Sequence, residues 1–70
     1  MNKAITVTPL VIGDDWYYLH ARRVPEGVDG YVIKDGEFVT TVPLCANERE
    51  LFSEAGRQIR RARSTDGLHH

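Results

Sequence analysis

The clearest periodicity in the chain lies near its C-terminal end, where Leu51, Phe52, Ala55, Ile59 and Ala62 recur at helical spacing and fall within an arc of roughly 100°, the width of a stripe that packs on a core. This spacing predicts a helix over residues 47–63. Glu48 is the one charge that intrudes on the stripe, in the first turn. Asn47 is placed to accept from the free N–H groups at the helix entrance, and Glu50 to reach back and complete a box-like cap. Acids at 48, 50 and 54 precede arginines at 57, 60, 61 and 63, so both ends should complement the helix dipole. Gly56 interrupts the pattern at a cost of about 1 kcal/mol relative to alanine. It implies either the close approach of a strand or a weakened helix.

Upstream the period changes to two. Residues 3–12 alternate, with Ile5, Val7 and Val11 on one side and Ala4, Thr6, Thr8, Leu10 and Ile12 on the other, which predicts a strand. Pro9 has no N–H to donate and places that strand at an edge or a bulge. Gly13-Asp14-Asp15 reads as the turn of a hairpin leading into a strand over residues 16–24. A three-residue loop there pairs Ile12 with Trp16, Leu10 with Tyr18 and Thr8 with His20. Pro25-Glu26-Gly27 and Asp29-Gly30 bracket an expected loop. Strands over 30–34 and 37–43 then flank Asp35-Gly36, the strongest short hairpin signal in the chain, with Lys34 opposite Glu37 and Ile33 opposite Phe38. Tyr31, Ile33, Phe38 and Val42 are expected on the core side of this hairpin, with Val32, Val39 and Thr41 behind them. Residues 64–70 read as a mobile polar tail.

These elements make an α+β fold: one domain over residues 1–70, a four-stranded antiparallel β-meander of two hairpins with one C-terminal α-helix packed on one face. A single helix covers a single face. The covered face is expected to hold Ile5, Val7, Val11, Tyr17 and Leu19 with Ile33 and Phe38. The open face would then display Leu10, Ile12, Trp16 and Tyr18 and continue to His20 and Arg22. A slip of one residue in register would send these side chains inward instead.

Composition narrows the function classes. With 41% hydrophobic and 27% charged residues the chain is not of the disordered type, and it contains no apolar run of about 20 residues that would span a membrane. A single cysteine, Cys45, excludes an internal disulfide and suits a reducing compartment, so a cytoplasmic location is expected. The net charge of −1 gives no general attraction to nucleic acid or anionic lipid.

Candidate chemistry is sparse. Cys45, His20, His69, His70 and the Asp14-Asp15 pair are the possible reactive groups, but no base is fixed beside the cysteine and the histidines lack metal-ligand spacing. No catalytic residue, metal or cofactor is expected. No stretch carries a family signature from which a site could be transferred. The open cluster of Leu10, Ile12, Trp16, Tyr18, His20 and Arg22 is the best candidate for a contact surface, because exposed apolar patches rich in tryptophan, tyrosine and arginine mark protein interfaces. Small chains without chemistry are often regulators or inhibitors, including those carried by phages and other mobile elements. The expectation is therefore a non-enzymatic, protein-binding module, homodimeric and acting by stoichiometric occlusion of a partner protein. The alternative is single-stranded nucleic-acid binding, with bases stacked on the aromatic rows and phosphates on basic groups. Arg57, Arg60, Arg61 and Arg63 form a second basic patch that could serve an acidic partner, or simply a solvated helix face. Acids at Asp14-Asp15 and Asp35-Glu37 oppose the nucleic-acid reading.

Overall fold

In the computed structural model, which describes residues 5–67, four antiparallel strands form one sheet in the order β1-β2-β3-β4: β1 (Ile5–Ile12), β2 (Asp15–Val24), β3 (Gly27–Lys34) and β4 (Glu37–Cys45). A single helix, α1 (Glu48–Gly67), crosses one face and packs mainly on β4 and β3. The α+β meander expected from the patterning is the observed fold.

Turn chemistry explains the strand registers. Asp35 and Gly36 both have positive φ, 53° and 80°, as a two-residue type I′ hairpin requires, and Lys34 pairs with Glu37 and Ile33 with Phe38. The first hairpin departs from expectation. Its loop is only Gly13-Asp14, with Gly13 at φ 65°, so Asp15 joins β2 and pairs with Ile12. Shortening the loop by one residue moves every pairing by one: Leu10 lies opposite Tyr17, Thr8 opposite Leu19, and Val11 opposite Trp16. The connection between β2 and β3 is equally tight. Only Pro25 and Glu26 form the turn, and Gly27, Asp29 and Gly30, expected in a loop, belong to β3. The glycines are needed there because the backbones run too close for a side chain. A Cβ on Gly27 would sit 2.2 Å from the Cys45 carbonyl oxygen, and one on Gly30 2.3 Å from that of His20.

The core lies between helix and sheet. Leu10, Tyr17, Leu19, Ala21, Val28, Val32 and Val42 from the strands meet Leu51, Ala55 and Ile59 from α1, with Ile12, Val39 and Cys45 partly buried around them. Of the seven residues expected on the covered face, only two are there. Tyr17 and Leu19 lie under the helix, but Ile5, Val7 and Val11 are exposed on the other side, and Leu10 and Ile12 replace them. In the second hairpin Val32 is core, while Tyr31, Ile33 and Phe38 share the face of Tyr18 and His20. Irregularities in the β3/β4 pairing return Val42 to the core side: Ile33 pairs with Phe38, but Val32 pairs with Thr40, leaving Val39 as an extra residue.

The helix begins as the capping pattern implies. The Glu50 backbone N–H donates to Asn47 Oδ1 at 2.9 Å, while Glu50 Oε1 accepts from the Ala46 N–H at 3.2 Å, one residue earlier than in the usual reciprocal box. Glu48 is tied to Arg23 at 2.8 Å, which accounts for its place on the stripe. At the other end α1 continues past Arg63 to Gly67, so the backbone of residues 64–67 is helical and not tail; the remaining tail residues 68–70 lie outside the described residues, as does the start of the expected first strand. The arginines therefore precede the last turn, which has no basic residue, and only the N-terminal acids Glu48 and Glu50 complement the dipole.

Gly56 is buried but not crowded. An added Cβ would meet only the Arg60 guanidinium, at an ordinary 3.5 Å. Gly56→Ala is accordingly expected to stabilise the domain by about 0.5–1 kcal/mol through the lost flexibility of the unfolded chain and better helix propensity. Urea unfolding followed by circular dichroism would register this as a higher midpoint, and a lower one would show that Gly56 is required for packing.

Two prolines bear on how the sheet meets its surroundings. Pro9 lies in β1 and Pro43 in β4, the two edge strands, so each free border carries a residue with no N–H to offer an incoming strand.

Candidate functional site

The sheet face opposite α1 is built as four rows running across the strands. Val11 lies beside Trp16; Pro9, Tyr18, Ile33 and Phe38 form the second row; Val7, His20, Tyr31 and Thr41 the third; Ile5, Arg22 and Asp29 the fourth. Strand alternation puts these residues on one side, and nothing in the described chain covers them. Trp16 is 56% exposed, Phe38 61% and Tyr18 41%, high values for large apolar side chains.

Two contacts give this surface fixed features. The rings of His20 and Tyr31 stack across the strands, 5.0 Å between centroids and within 7° of parallel. At the far end Arg22 makes a two-pronged ion pair with Asp29, Nε to Oδ1 at 3.2 Å and the second prong to Oδ2 at 3.0 Å. The Asp29 hydrogen bond, and after it the Asp29 charge, hold the Arg22 guanidinium above its ordinary pKa. Among the described residues of this face, the charges of Arg22 and Asp29 cancel each other. Both features wall a hollow of about 610 Å³ above Gly30, lined by Ile5, His20, Tyr31, Phe38 and Thr41 together with the Arg22–Asp29 pair.

Of the six residues expected to share a surface, Trp16, Tyr18, His20 and Arg22 do so. Leu10 and Ile12 do not: they stand on the helix side, Leu10 fully in the core, because the first hairpin loop has two residues and not three. Their places are taken by Ile5, Val7 and Val11 from the same strand, and by Tyr31, Ile33 and Phe38 from the second hairpin. These residues were visible as an alternating apolar set in the sequence but carried no sign of which set faces out.

Comparison with protein-family models, with curated proteins and with solved structures found no match.

The second patch is divided in its contacts. Arg57 donates from Nε to Glu54 at 3.0 Å, and hydrogen bonds from Gln58 and then Arg57 hold the Glu54 carboxyl below the usual carboxylate range. Arg63 reaches back across the domain to donate to the Ile12 carbonyl at 2.8 Å, with Asp15 3.7 Å away, so it anchors the helix to the first hairpin. Arg60 lines a groove between α1 and β1, beside Phe52 and Gly56. All four arginines sit on the helix, across the sheet from the aromatic rows.

Among possible reactive groups, Cys45 is half-buried with its thiol 3.4 Å from the Pro43 carbonyl oxygen. Burial, then the charges of Glu50 and Glu54, push this thiol up, away from the nucleophilic thiolate. His69 and His70 lie outside the described residues. Among the described residues no three histidine, cysteine or carboxylate groups are placed to share a metal, and no helix is long and apolar enough to cross a membrane.

Proposed function

We propose that this protein is a non-enzymatic binding module, a regulator or inhibitor that acts by seating the open sheet face on a protein surface and occluding it stoichiometrically. One observation carries the reading: a continuous face holding exposed Ile5, Val7, Val11, Trp16, Tyr18, Tyr31 and Phe38 in which, among the described residues, the charged pair Arg22 and Asp29 is internally neutralised. Removing such a surface from water lowers the free energy by roughly 25 cal/mol per Å², and among the described residues no isolated charge must be stripped of its hydration to do so. Aromatic residues at the centre are the type that anchors protein interfaces.

Single-stranded nucleic acid fits this geometry less well. Stacking needs neighbouring cations to follow the phosphates, yet Arg22 is committed to Asp29, and Arg57, Arg60, Arg61 and Arg63 lie on the far side of the sheet. One strand could not engage rings and helix arginines together.

Replacing Trp16 and Tyr18 together by alanine tests the reading. Both are exposed, so the variant should keep the circular dichroism and cooperative unfolding of the parent. Immobilised parent protein is expected to retain a partner from extracts of its native host that the variant releases. Identical capture by the two proteins would refute a role for this face.

A further inference from the structure

The proposed docking face has a shape that bears on its occupant. It carries a bulky protrusion at one end, Trp16, and a hollow towards the other, above Gly30. Along β2 the two are four to six residues apart, about 13–20 Å at the usual strand rise. A two-fold axis crossing the strands between them, near the Tyr18 and His20 rows, would carry each tryptophan over the hollow of the opposite copy. That is the self-complementarity an isologous contact needs, since the same patch must serve as both partners.

We infer that the open face seats on the open face of a second copy of this chain, each Trp16 entering the hollow that Ile5, His20, Tyr31, Phe38 and the Arg22–Asp29 pair line on the other. This rests on the reading of that face as the docking surface and names its occupant. Three further observations favour a second copy. The face is electrically balanced, so like meets like without repulsion. Four strands about 4.8 Å apart and about eight residues long span roughly 500 Å²; with side-chain relief, two copies would bury on the order of 1,000–1,500 Å² together, overlapping the range of stable interfaces. Pro9 and Pro43 each remove a donor from an edge strand and so disfavour the competing mode, in which an edge strand extends the sheet into a neighbour. The axis also leaves the strands of the two sheets aligned, as face-to-face sheet packing prefers, with both helices and their arginines outward. Any other protein that takes the face must displace the second copy, so dimer and complex would exclude one another.

Sedimentation equilibrium of the untagged chain at up to roughly 100 µM, ample for a dimer of micromolar Kd, is the first measurement. A mass of about twice 7.9 kDa is expected. Trp16→Glu, which removes the protrusion, and Thr41→Arg, which fills the hollow, should each give the single-chain mass with unchanged circular dichroism, whereas Arg61→Glu on the helix should leave the dimer intact. A readout without substitution guards against unfolded variants: Trp16 is the sole tryptophan, so its emission should shift to the red on dilution as buried indole returns to water. A single-chain mass for the parent, water-like emission at every concentration, or a dimer that survives both Trp16→Glu and Thr41→Arg would overturn the inference. In the first two cases the docking reading stands or falls separately, on whether the Trp16 and Tyr18 double alanine variant loses its captured partner.

Discussion

Leu51→Ala is expected to remove a large share of the folding free energy of this domain. Leu51 has no exposed surface and sits in the first turns of α1, where it meets the sheet beside Ala55 and Ile59. Cutting a buried leucine back to alanine costs about 2.7–5 kcal/mol, the transfer free energy of the lost methyl and methylene groups plus the void they leave. At roughly 0.05–0.15 kcal/mol per residue, the whole stability of a 70-residue chain is about 4–10 kcal/mol. Few neighbours can move in to close the gap, because α1 supplies the lid of the core and only Ala55 and Ile59 join Leu51 there. Urea unfolding at fixed protein concentration should show the midpoint falling steeply, or a chain already partly unfolded in buffer. A midpoint within a few tenths of a molar of the parent would mean that the helix does not depend on this docking contact.

Gly30→Ala should be nearly as damaging for the opposite reason, too much volume instead of too little. The new methyl carbon would lie 2.3 Å from the His20 carbonyl oxygen and 3.2 Å from Ala21 Cα, both backbone atoms of the neighbouring strand. A side-chain neighbour could rotate away, but backbone in the middle of a ladder can yield only if β2 and β3 separate. Overpacking costs about 1–3 kcal/mol where side chains can adjust, and the expectation here is the upper end of that range or beyond. Thermal unfolding should show the loss directly. The contrast with Gly56→Ala is informative, since the same chemical change should act with opposite sign at the two sites; a Gly30→Ala protein as stable as the parent would show that the strands are not held as close as 2.3 Å implies.

Much of the architecture was legible in the chain, and the part that was not has a definite cause. Helical spacing, Asn47 as cap and Asp35-Gly36 as turn are local signals; cap and turn appear as read, and of the stripe Leu51, Ala55 and Ile59 reach the core while Phe52 is left 43% exposed. The faces of the sheet are set by something less local, the number of residues in one turn. Asp15 looked like the third residue of a polar loop, yet it opens β2, held near Lys34 at 3.9 Å and Arg63 at 3.7 Å by contacts that no short window reveals. That one residue sends Leu10 and Ile12 under the helix and Ile5, Val7 and Val11 into the open. Because both faces of β1 are apolar, hydrophobic alternation could not arbitrate. Gly27, Asp29 and Gly30 misled for a related reason: their composition is that of a loop, while their role is to let strands pass at van der Waals limits. Trp16, Tyr18, His20 and Arg22 were placed together because all lie on β2 at a spacing of two, which no change of register can separate.

The prolines at the two borders have a final implication for solubility. A ribbon of strands with rings along its outside is the raw material of fibrils, which grow by adding one backbone after another at an unprotected margin. Here each margin has one donor fewer for such growth to copy, and on the proposed pairing a greasy surface consumed by a second copy terminates after a single step. Raising the concentration of this protein should therefore fill a finite assembly without seeding an endless one.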